Sequence, residues 1–224
     1  MLFLFILILF QTVAILAFTD IGTSLNPVYN ENTIPNHTHG ALKKRGYITR
    51  SSGCSNAQAS EIYAALESCA LLASLGYHTV KSDNRLFELI FKTNRTNIQN
   101  LVQNNFNEIY RECSRTSDEL SITCGDISDG WCVENGVYSL GYARIAFKQI
   151  VICPRFFNHP AKSKKITAVN QDTVILHEVA HIVLNAHVDY GYEWEGIQKL
   201  DSTKSIKNPD SYAIFAQCAR YKSC

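Results

Sequence analysis

The segment Thr173–Asn185, TVILHEVAHIVLN, is apolar on nearly every side of a helical wheel, yet it carries two histidines and a glutamate. A helix with no polar face must be wrapped by other elements, so this one belongs at the centre of a domain. Asp172, just before it, is expected to cap its start. In His177-Glu178-x-x-His181 the imidazoles are four residues apart, share a helical face and can chelate one ion. Glu178 stands about 100° round the wheel, within reach of a water beside that ion. Neutral imidazoles suit zinc, and a zinc ion with three protein ligands keeps a fourth position for water. The ion lowers that water's pKa to about 7, and Glu178 is placed to take its proton during attack on a carbonyl. The plainer reading of the same residues is two buried histidines beside a satisfied glutamate.

Several residues compete to be the third ligand. His187 lies ten residues after His177, the spacing of H-E-x-x-H-x-x-G-x-x-H. The glycine of that pattern is Leu184 here, and the methionine that should follow is missing, since Met1 is the sole methionine. Glu193 and Glu195 follow His181 by 12 and 14 residues, too few for a loop and a second ligand helix. Asp189 remains.

The ends of the chain add a cellular context. Met1–Phe18 is an almost unbroken apolar run, which predicts a cleaved signal peptide over residues 1–19 and no stable membrane anchor. Residues 20–45 are rich in Asn, Thr, Pro and Gly and end in Leu42-Lys-Lys-Arg45, which predicts a propeptide released by a kexin-like processing protease. The expected mature domain, 46–224, holds 18 basic and 18 acidic residues, so nothing points to nucleic acid or to an anionic membrane. It contains all eight cysteines, an even number that reads as a disulfide framework of a secreted, extracellular protein. Asn94-Arg-Thr96 is a glycosylation sequon in this domain, and Asn36-His-Thr38 is another in the propeptide. A monomer is expected.

Helical signals dominate the first half of the domain. Ser55-Asn-Ala-Gln58 resembles a capping box, and the helix it opens is expected to stop near Leu75–Gly76. Residues 83–92 and 98–111 also read helical, the latter with Ile98, Leu101, Val102, Phe106, Ile109 and Tyr110 on one stripe. Residues 137–153, rich in Val, Ile, Tyr and Phe, predict two or three short antiparallel strands. The expected fold is a mainly helical α+β domain with a small antiparallel sheet, stapled by disulfides.

Asp189-Tyr-Gly-Tyr192 has the D-x-x-Y form of the aspzincins, and Asn208-Pro-Asp-Ser-Tyr-Ala-Ile-Phe-Ala216 resembles a segment of the fungal deuterolysins within that family. TCGDISDGWC, IVICPRFFN and GCSNAQ are similar to further deuterolysin segments, in the same order. The resemblance covers nearly the whole mature chain. It implies a zincin-like secreted endopeptidase with one zinc ion and protein or peptide substrates, basic proteins favoured among them.

Carried over by position, His177, His181 and Asp189 would bind zinc and Glu178 would be the general base. Tyr192 would hydrogen-bond the tetrahedral oxyanion, and Asp210 would orient ligands or contact substrate; a helix-capping role for Asp210 stands beside these. The resemblance also implies disulfides Cys54–Cys124 and Cys132–Cys153. The family's usual partner for the last cysteine is absent, which leaves Cys218 for Cys224 and Cys69 for Cys113. There are departures: the loop before Asp189 is short, Glu193 replaces a glycine, and Ala213 stands where a lysine-specific branch has glutamate. The altered loop keeps a second function open, a catalytically silent secreted binding protein that retains the fold.

Overall fold

The computed structural model describes residues 52–114, 120–125, 130–134, 136–166 and 168–224; the expected signal peptide and propeptide lie outside them. Three helices open the domain: α1 (Asn56–Ser82), α2 (Asn84–Phe91) and α3 (Thr96–Ser114). They are followed by short strands β1 (Ser121–Cys124), β2 (Val133–Glu134), β3 (Val137–Tyr138), β4 (Gly141–Arg144) and β5 (Gln149–Ile152). The chain ends in α4 (Gln171–Leu184), α5 (Glu193–Gln198), α6 (Ser202–Ser205) and α7 (Pro209–Tyr221). No described helix is long and apolar enough to cross a membrane.

The Ser55/Gln58 capping box is present, Ser55 Oγ accepting from the Gln58 amide and Gln58 reaching back to Ser55. Gly76, however, does not end α1, which runs on to Ser82. Its task is close packing: a Cβ there would lie 2.5–2.7 Å from three ring atoms of Phe106 on α3. Phe106 is fully buried against the rings of Tyr212 and Phe215 and has no room to retreat. Of the α3 stripe, Val102, Phe106 and Ile109 face the core, while Leu101 and Tyr110 are exposed.

The three-stranded sheet is mixed, not antiparallel. Its order is β1-β5-β4, with β1 parallel to β5 and β4 antiparallel to it. A parallel pair needs a long connection, and residues 125–148 supply one by passing through the β2–β3 hairpin and β4. Strand β5 is central and covered on both faces. Ile150 and Ile152 join the main core, and Val151 packs with Cys132, Tyr142 and Cys153. Disulfides link Cys54–Cys124, Cys69–Cys113, Cys132–Cys153 and Cys218–Cys224. The first ties the start of α1 to β1, and the second ties α1 to α3.

Helix α4 lies between α1, α3 and α7, with β4 across it. Its cap is Asn170, not Asp172: Asn170 Oδ1 accepts from the Thr173 amide. Asp172 sits inside the first turn, fully buried, and Oδ2 accepts from Ser68 on α1 (2.6 Å) and Arg220 on α7 (2.7 Å). A cap must precede the first turn, and the half-buried Arg220 claims this carboxylate instead.

Replacing Gly76 by alanine improves helix propensity but drives a methyl group into the Phe106 ring. Chemical denaturation with the disulfides intact is expected to show a net loss of about 1–3 kcal/mol.

Candidate metal centre and cleft

His177 and His181, one turn apart on α4, turn their Nε2 atoms toward each other at 3.1 Å. Their other nitrogens are committed. His177 Nδ1 is 2.9 Å from Asp210 Oδ1, and His181 Nδ1 is 2.7 Å from the Ala186 carbonyl. A carboxylate and a carbonyl can only accept, so Nδ1 carries the proton in each neutral ring. Both Nε2 atoms then present lone pairs to the same space. Asp189 brings its oxygens there too, Oδ1 at 3.2 Å from His177 Nε2 and Oδ2 at 3.3 Å from His181 Nε2. Acceptors gathered this closely repel unless protons or a cation lie among them. A two-histidine, one-carboxylate donor set with orienting partners behind the rings fits zinc, and the ligand atoms all lie within 4.8 Å of one another.

Asp189 reaches the helix because the chain reverses at once. Asn185 adopts a left-handed conformation (φ 50°), the role often taken by glycine. Ala186 then donates its amide to the His181 carbonyl (2.9 Å) and accepts from the His181 ring. The buried Asn208, at the start of α7, grips the loop after the turn. Its Oδ1 accepts from the amides of Tyr190 (2.9 Å) and Gly191 (3.2 Å), and its Nδ2 donates to the Gly191 carbonyl (2.9 Å). This residue was missed from the sequence, although it opens the same Asn-Pro-Asp stretch that supplies Asp210. Gly191 and Gly196 complete the packing, since a Cβ on Gly191 would lie 2.7 Å from the Gly196 carbonyl oxygen.

Glu178 is buried beside the histidines. Strand β4 passes over it at Gly141, where a Cβ would come within 3.5 Å of Glu178 Cγ and 3.0 Å of the Val151 carbonyl oxygen. Burial pushes the Glu178 carboxyl up, against the lowering influence of His177 and His181. For Asp189, burial acts in the same sense but is outweighed by the rings of His177 and His181, which, when protonated in place of a cation, donate to it and hold it well below the carboxylate range.

Tyr192 stacks its ring on His177 (5.9 Å between centroids, 14° between planes) and donates to Asp189 Oδ2 at 2.7 Å. Burial and this bond push its phenol up. Asp210 lines the cleft and also supports the site: one oxygen holds His177 and the other accepts from the Glu193 amide. It does not cap α7, whose N-cap is Asn208. Glu193 sits at φ 55°, a left-handed conformation that suits the glycine it replaces. His187, Glu193 and Glu195 are exposed and outside the ligand cluster, and Asn94 is exposed between α2 and α3. The ligands lie in a cleft of about 1160 Å³ whose walls include β4, α4 and the start of α7.

Fold and centre together define a zincin-type arrangement, with an H-E-x-x-H helix in the core and a carboxylate returned to it by the following loop. The aspzincin M35 family model, described as "Lysine-specific metallo-endopeptidase", matches residues 77–217, more than half of the chain, and the chain belongs to this family. It is similar to a "Neutral protease 2 homolog" of Phaeosphaeria nodorum, with 32% identity over 82% of this chain and 51% of the relative. A relative of the same description from Colletotrichum graminicola is 32% identical over 82% of this chain and 52% of its own length. The chain thus spans about half the length of these relatives. A solved zinc peptidase from Grifola frondosa shares the fold, with a TM-score of 0.58, 15% identity, and coverage of 74% of this chain and 97% of that one.

Removing the carboxylate behind His177 frees that ring to rotate. Asp210→Ala is expected to weaken zinc affinity about 10–100-fold in a chelator competition titration, with the thermal transition still cooperative.

Proposed function

We propose that this protein is a secreted zinc-dependent endopeptidase that binds one zinc ion and hydrolyses protein or peptide chains. The observation that carries this reading is the convergence of the His177, His181 and Asp189 lone pairs beside the buried Glu178 in an open cleft. His177, His181 and Asp189 would hold a zinc ion there, which would supply Lewis acidity toward a carbonyl and water near neutral pH. Glu178 is the general base, and burial favours its protonated form, which suits a group that takes a proton from water and passes it to the leaving amine. Asp210 and the Ala186 carbonyl keep the two imidazoles in the tautomer that aims Nε2 at the ion. Tyr192, 61% exposed, turns its hydroxyl from Asp189 to the carbonyl oxygen as negative charge develops there.

The cellular setting belongs to the same proposal. The chain is secreted by way of the 1–19 signal and cut after Arg45 by a kexin-like protease to release a monomeric enzyme glycosylated at Asn94. Four disulfides suit an oxidising compartment.

Glu178→Gln is expected to lower casein cleavage about 10²–10⁴-fold while metal analysis still finds zinc; undiminished cleavage would remove Glu178 from the mechanism. Asp189→Asn is expected to lose far more zinc than His187→Ala under the same chelator. Equal metal content in the two variants would show that Asp189 is not the third ligand.

A further inference from the structure

Charge is divided along the cleft. Its four lining carboxylates, Glu178, Asp189, Glu193 and Asp210, are gathered at the metal end. The wall formed by β4 and the segments beyond it carries Arg144 and Arg155, and no carboxylate lines it among the described residues. Arg155 follows β5 in a 3-10 turn, Pro154–Asn158, and is exposed. Its Nη1 donates to the Tyr138 carbonyl at 3.3 Å. A guanidinium carries five N–H donors in a rigid fork, so this bond leaves it able to grip a carboxylate.

The position of Arg155 relative to the reacting centre follows from the chain. Gly141 lies against Glu178, and Tyr138 is three residues before it, at most about 10 Å away along the backbone. Strand β4 is an outer strand of the sheet and offers an edge to an extended peptide. A residue two to four positions from a scissile bond at Glu178 lies about 7–14 Å along an extended peptide, a span comparable to that between Gly141 and Tyr138. Trp131, Tyr138 and Phe147, exposed by 53%, 58% and 66%, stand on the same wall. A peptide covering them would shield the ion pair from water and raise its worth above that of an open surface pair.

We propose that this wall is a subsite for an acidic side chain and that Arg155 is its specificity-determining residue. The inference rests on the peptidase reading and names a substrate class for it: peptides with Asp or Glu a few residues from the cut. The glutamate of the lysine-specific branch is absent, since position 213 is alanine.

The test uses zinc-loaded protein, secreted from the full chain, and a neutral peptide in which one Glu, Gln or Lys is walked through each position around a single cut. At one position two to four residues from the cut, Glu is expected to raise kcat/KM about three- to tenfold over Gln, with Lys below both and the difference shrinking at high salt. Arg155→Glu is expected to invert the Glu-to-Lys ratio at that position. Equal rates for the three peptides at every position, or an unchanged ratio in the variant, would overturn the subsite. If no peptide is cut at all, the peptidase reading falls instead, and the subsite is decided by fluorescence anisotropy of the labelled peptides on the same protein. Tighter binding of the Glu form, reversed by Arg155→Glu, supports it, and equal binding overturns it.

Discussion

The lone pairs of His177, His181 and Asp189 repel one another when nothing lies between them, and the surrounding structure is arranged to hold them together all the same. Asp210 and the Ala186 carbonyl each hold one Nδ1–H, which leaves both rings little freedom to turn away. Asn208 fixes the loop that carries Asp189. None of these three touches the space between the ligands. They fix where the ligands point, so that the cost of gathering them is met by folding and a cation arriving there gains the full benefit.

The return of Asp189 to α4 is a steep geometric demand, and the backbone shows it. Asn185 and Glu193 both take left-handed conformations, and Gly191 lies directly against Gly196. The Glu193 amide then closes onto Asp210, which links the end of the loop to the carboxylate that orients His177. Loop and orienting residue are therefore mechanically coupled, since a shift in one changes the support of the other.

Packing supplies the rigid frame. Helix α4 is held at its start by Asp172, whose buried carboxylate gathers Ser68 from α1 and Arg220 from α7. Beneath it, Phe87, Phe91, Phe106, Tyr212 and Phe215 form a continuous set of ring contacts joining α2, α3 and α7. On the other side the mixed sheet lays β4 over Glu178 with only a glycine between them. The cleft is thus walled by elements that the core fixes, and its open face is left to Tyr192 and the aromatic residues beyond β4.

Local rules were legible wherever neighbours in sequence settle the matter. The period of α4 places His177 and His181 on one face, the Ser55/Gln58 box starts α1, and the apolar density of Thr173–Asn185 marks a buried helix. Where a partner lies far along the chain, sequence could not decide. Strand direction depends on which segment lies beside β5, so β1 turned out parallel. Gly76 reads as a stop until Phe106 of α3 is set against it, and Asp172 reads as a cap until Arg220 arrives from α7. Residue types and spacing determined which side chains are available to hold a metal ion. Which of them meet, what stands behind each ring, and that Asp210 supports both His177 and the Glu193 amide were decided by tertiary structure, because those contacts join residues that only the packed core brings together.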